Sequence, residues 1–99
     1  MTNQRSESVQ RTLEILPILA GNEIHGVPLV KISDALSCSK PLVLRALANL
    51  QIAGFAEQMD NKNWRLGPRL SRIAMQTLAE FDKQQRKLDE LRNRHTRQY

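Results

Sequence analysis

A chain of 99 residues has room for one small domain. Lys+Arg number 15 against 10 Asp+Glu, a net charge of +5, and such a balance favours an anionic partner, nucleic acid or an anionic membrane surface, although an ordinary solvated basic surface fits it as well. The single cysteine, Cys38, excludes an intramolecular disulfide framework and fits a reducing, cytoplasmic setting. The polar start MTNQRSESVQ is unlike a signal peptide, and no apolar run of about 18 residues is present to span a membrane.

Positive charge is concentrated late. Residues 1–54 sum to +1, residues 55–67 to zero and residues 68–99 to +4, with eight basic residues against four acidic ones in that last third. A nucleic-acid reading therefore rests on the placement of individual residues.

The first helix is expected from Ser8, with Val9, Leu13, Leu16, Leu19 and Ala20 at helical spacing and Ser6 or Ser8 as N-cap. Pro17 should kink it or tighten its last turn, and Gly21-Asn22 closes it. A loop over 23–27 leads to a second helix, PLVKISDALS, with Pro28 at its first position and Leu29 or Val30, Ile32 and Leu36 inward. Ser39 is the expected N-cap of a third helix from Lys40 to about Ala53, with Val43, Ala46, Leu47 and Leu50 as its apolar stripe and Gly54 as its stop. Two strands follow, 55–59 and 63–66, joined by Asp60-Asn61-Lys62, whose composition suits a tight hairpin. Pro68 opens a last helix that runs without Gly or Pro to about Arg97, a length of roughly 40 Å at 1.5 Å per residue.

Helix, helix, short turn, helix and hairpin in that order give a mainly α fold: a winged helix-turn-helix of three helices plus a two-stranded wing, with a long C-terminal helix. We expect residues 1–67 to form the DNA-binding domain and residues 68–99 a dimerisation helix. In such a motif the second helix of the pair enters the major groove with its N-terminal residues toward base edges. With Val43 inward, Arg45 lies about 200° around the third helix, at 100° per residue, and Pro41, Ala48, Asn49 and Ile52 share that outward side. The helix start offers Ser39, Lys40, two backbone N–H groups and the positive end of the dipole, a seat for phosphate. Lys40 and Arg45 are the leading candidates for DNA contact, with Asn49 a third.

The blocks SVQRTLEIL at 8–16, LVKISDALSCSKPLVLRALANL at 29–50, GF at 54–55 and WRLGPRL at 64–70 resemble, in order, the N-terminal domain of the IclR family of bacterial transcription regulators. The resemblance covers about residues 6–72. It implies that Ser39, Lys40, Leu42 and Arg45 hold recognition-helix positions and that Asp60 to Arg65 is the wing, which adds Lys62 and Arg65 to the DNA-binding set. It also implies a dimer on a pseudo-palindromic site. Pro41 stands where the family usually has Ser, Leu42 where it has Thr, and Trp64 where it has Tyr. Leu42 has no hydroxyl for a phosphate, leaving apolar contact with a thymine methyl. The family's large C-terminal effector domain has no counterpart in these residues, so no small-molecule effector is expected.

Other residues carry plainer expectations. Cys38 falls at an apolar position and reads as a small hydrophobe. Trp64 is expected to pack the wing against the third helix rather than to stack on bases. His25 and His95 lie far apart without ligand-spaced partners, so neither a metal nor a cofactor is expected. No phosphate loop, nucleophile motif or carboxylate pair calls for catalysis, and the chain is read as no enzyme.

In the last helix Leu70, Ala74, Thr77, Phe81, Gln84, Leu88, Leu91 and His95 alternate spacings of four and three. That heptad seam predicts a homodimer through residues 68–95, whereas folding of Leu70, Ile73, Ala74 and Leu78 back onto the domain would leave the rest solvated. The basic tail either touches DNA backbone or is a solvated helix. The function these residues favour is sequence-specific regulation of transcription on double-stranded DNA; the alternative is a winged-helix adaptor in a nucleoprotein complex without operator preference.

Overall fold

The computed structural model describes residues 4–97. Its elements follow the order α1 (Glu7–Leu19), α2 (Leu29–Leu36), α3 (Lys40–Ala53), β1 (Ala56–Gln58), β2 (Trp64–Leu66) and α4 (Pro68–Thr96). The three short helices and the hairpin form the winged helix body, and α4 leaves it as a rod.

Ser6 caps α1, its hydroxyl accepting the Val9 N–H at 3.3 Å. Pro17 sits inside the helix, which continues to Leu19. The helical bond lost at Pro17 would have gone to the carbonyl of Leu13, an exposed residue where water can replace it. The buried face departs from the expected one. Ile15 and Leu19 are fully buried and Leu16 and Ile18 pack against the core, while Val9, Leu13 and Ala20 face solvent. The run Ile15 to Ala20 is apolar all round, so its periodicity leaves the rotation of α1 open; Val9 and Leu13 lie about 120° and 160° around from Ile15.

Pro28 precedes α2 as its N-cap instead of opening it, with extended backbone at φ −71° and ψ 151°. Its carbonyl accepts the N–H groups of Lys31 and Ile32 at 3.0 and 3.3 Å. Ile32 is fully buried, Leu29 and Leu36 are half-buried, and Val30 is exposed. The turn into α3 is fixed from within α2. Ser33 is buried, its hydroxyl donates to the Cys38 carbonyl, and the Cys38 N–H returns to the Ser33 carbonyl at 3.1 Å. Ser37 takes the left-handed conformation at φ 51° that ends α2. Cys38 is half-buried against the core.

Val43, Ala46, Leu47 and Leu50 are buried on α3, the stripe expected from their spacing. With Ile15, Leu19, Val27, Ile32, Ala56 and Trp64 they form one core. Each fully buried Leu or Ile among them contributes about 1.5–3 kcal/mol relative to exposure. The strands are shorter than the expected runs, and pair antiparallel with Ala56 opposite Leu66, Glu57 opposite Arg65 and Gln58 opposite Trp64. Val27 adds a bridge to Trp64, exchanging bonds of 2.7 and 2.9 Å, so the segment expected as plain loop buttresses the wing. Trp64 is buried; β2, which carries it, lies against α1, and β1 lies against α3.

The base of α4 is tied to the end of α3. Gly54 caps α3 at φ 82°, a left-handed value that favours glycine. A Cβ on Gly67 would stand 2.3 Å from the Gly54 carbonyl oxygen, so the crossing requires glycine there. The Arg69 guanidinium donates to the Ala53 carbonyl at 3.3 Å. Beyond Leu70, which is half-buried, α4 is exposed along its length, including Ile73 and Leu78. Within one chain α4 does not fold back on the body. No helix of the described residues is long and apolar enough to cross a membrane.

Candidate nucleic-acid interface

The inward stripe of α3 fixes what its other side presents. Because Val43 and Leu47 are held in the core, Ser39, Lys40, Pro41, Leu42, Arg45 and Asn49 all face solvent, on the first turn and outer side of the same helix. These six expected site residues are brought together.

Ser39 occupies the N-cap with extended backbone, but its side chain makes no capping bond. Its carbonyl instead accepts the Val43 N–H at 3.1 Å, which leaves the hydroxyl exposed at the positive end of the helix. Lys40 is the first helical residue and Pro41 the second, so the N–H groups left over in the first turn are those of Lys40 and Leu42. Two N–H groups, a hydroxyl and an ammonium at a helix start form an anion seat. Further along, the Asn49 side-chain N–H donates to the Arg45 carbonyl at 2.9 Å, which holds Asn49 against the helix and keeps its carbonyl oxygen as acceptor.

The wing tip is a three-residue loop. Lys62 N–H bonds the Met59 carbonyl at 2.9 Å and Met59 N–H bonds the Asn63 carbonyl at 2.8 Å. Lys62 itself is left-handed at φ 74°, the geometry in which a turn is followed by a left-handed bulge residue. Asn61 Oδ1 accepts the Asn63 N–H at 2.9 Å, and the Asn61 and Asn63 amides both donate to the His25 carbonyl, at 3.3 and 3.0 Å. The tip is thereby braced on the α1–α2 loop with Lys62 exposed.

Arg65 is placed differently from the other seven site residues. Its Nε donates to Glu57 Oε1 at 2.7 Å across the strand pair, and its Nη1 reaches the Glu23 carbonyl at 3.3 Å. Half-buried and paired, it holds the wing to the body instead of projecting from it. The cross-strand register that puts Glu57 opposite Arg65 was implicit in the hairpin length. The brace through His25 had no signal in the sequence, because it runs through a backbone carbonyl.

Among the described residues no group of His, Cys, Asp and Glu comes together that could hold a metal ion, and no buried side-chain nitrogen or oxygen lacks a hydrogen-bond partner.

No family model and no curated protein matches the sequence. Solved structures do. An ICLR transcriptional regulator from a Silicibacter species matches at TM-score 0.64 and 29% identity, over 73% of this chain and 28% of that one. HmgR from Pseudomonas aeruginosa matches at TM-score 0.67 and 26% identity, over 78% of this chain and 33% of that one. ZitR from Lactococcus lactis shares the fold at TM-score 0.52 and 22% identity, over 95% of this chain and 68% of that one. The chain thus spans about a third or less of the first two. Three helices, a two-stranded wing braced on the loop before α2, and these likenesses together show a winged helix domain similar to that of IclR-type transcriptional regulators.

Proposed function

We propose that this protein is a sequence-specific transcription regulator that reads double-stranded DNA by inserting α3 in the major groove, as a homodimer joined through α4. The observation that carries the reading is the row of exposed residues on α3, from the anion seat at Ser39 and Lys40 to Arg45 and Asn49. In this arrangement the first turn seats a phosphate, Arg45 addresses a base edge or the backbone, and Leu42 meets a thymine methyl. Lys62 at the wing tip adds a phosphate contact, and Arg65 supports that tip through Glu57. The division of labour follows: residues 1–67 read DNA and residues 68–99 pair the two copies.

Selection of bound DNA from a random pool tests this directly. A recurring motif in two inverted half-sites, bound with affinity that falls steeply as salt rises, is the expected result. Recovery of no enriched sequence would overturn specificity and favour the adaptor reading.

A further inference from the structure

The rotation of α1 has a consequence beside the reading helix. With Ile15 and Leu19 turned into the core, Val9 and Leu13 are left about half exposed, at 53% and 51%. They face the outer side of α3, and the two helices enclose an open groove of about 430 Å³. Val9, Leu13 and Leu42 form its apolar walls, and Arg11, Arg45 and Asn49 supply its polar groups. No carboxylate lines it. The groove therefore offers Arg45, with Arg11 at its edge, beside an apolar surface, within the size range of small-molecule sites, roughly 300–1,000 Å³.

We propose that this groove binds an amphiphilic organic anion, an apolar body carrying a carboxylate or sulfonate, and that this ligand and DNA exclude each other. Charge complementarity selects the occupant. A neutral apolar molecule would leave Arg45 beside it without an anion, whereas Arg11 at the groove's edge also faces Glu7, and an inorganic anion would leave the apolar walls wet. Exclusion rests on the function proposed above, since Leu42, Arg45 and Asn49 belong both to the groove and to the DNA-reading row. A ligand seated there removes them from DNA.

The probe is 1-anilinonaphthalene-8-sulfonate, titrated into the full chain and followed by fluorescence and calorimetry. We expect one saturable site per chain. Binding should weaken at least tenfold in Arg11→Gln and in Val9→Ser/Leu13→Ser, all outside the core, with the unfolding midpoint checked in each. It should be unchanged in Phe81→Ser/Leu88→Ser, which removes two of the most exposed apolar side chains of α4. Saturating DNA should weaken the probe by the same factor by which the probe weakens DNA. Probe binding that ignores the groove variants, or that is lost with the α4 variant, would overturn the site. Simultaneous binding of probe and DNA without mutual effect would overturn the exclusion. A chain that binds no DNA would sink the proposed function and the exclusion with it, while the groove titration would still be decided on its own.

Discussion

Arg45 is the sixth residue of α3, exposed on a helix whose opposite face carries the buried Val43, Ala46, Leu47 and Leu50. Its replacement therefore separates binding from folding. Arg45→Ala should keep the unfolding midpoint and weaken operator binding by about 1–3 kcal/mol if the guanidinium reads a base, or lower all affinities alike if it holds a phosphate. Wild-type affinity of the folded variant on the selected site would remove Arg45 from the interface. Lys62 is a simpler case, a lone exposed ammonium on a braced tip. Lys62→Gln should leave sequence preference intact and make the dependence of log affinity on log salt shallower by about one unit, the signature of one lost phosphate contact. An unchanged slope would mean that the wing stays clear of DNA. Arg65 offers no such clean test, because removing it leaves Glu57 unpaired and loosens the wing.

At the scale of elements, two joints hold α3 in position. Ser33 fixes the α2–α3 turn through Cys38. The other joint is the crossing of Gly54 and Gly67, where α3 ends and α4 begins. Gly67→Ala puts a methyl group 2.3 Å from the Gly54 carbonyl oxygen, and backbone on both sides must move. The cost should be that of an overpacked site, about 1–3 kcal/mol, read as a lower midpoint in urea unfolding. A variant as stable as the wild type would show that the crossing relaxes freely. The two joints were not equally visible in the sequence. Gly54 announced itself as the stop of a helix, whereas the tight approach at Gly67 depends on where two separate segments meet.

The whole molecule is a small body with a rod, measuring 69 × 45 × 22 Å. A helix of 29 residues with no buried residue gains little from its own chain. Phe81, Leu88 and Leu91 are exposed at 65%, 59% and 48%, all on the heptad seam, and a second copy would cover them. Thr77, Gln84 and His95 are polar members of that seam and weaken its packing. Sedimentation of the full chain at micromolar concentration should give a dimer. Removal of residues 80–99 should give a monomer with an intact helix-turn-helix and much weaker operator binding, since two half-sites are then no longer engaged together. A monomeric mass for the full chain would sink the pairing through α4.

What the sequence determined by itself is whatever depends on neighbours along the chain. The bounds of α3 and α4, the apolar stripe Val43, Ala46, Leu47 and Leu50, the stop at Gly54 and the three-residue hairpin loop all follow from helical period, glycine and turn chemistry, and these also turned Ser39, Lys40, Arg45 and Asn49 outward. Tertiary structure decided what period left open. A segment apolar all round, such as Ile15 to Ala20, has no preferred rotation until Ile32, Val43 and Trp64 supply a core to face, and that choice exposed Val9 and Leu13. Likewise the Val27–Trp64 bridge, the reach of Arg65 to the Glu23 carbonyl and the brace through His25 join residues or backbone groups from separate segments. Such contacts are chosen by the free energy of the assembled fold, so no local pattern in the chain foretells them.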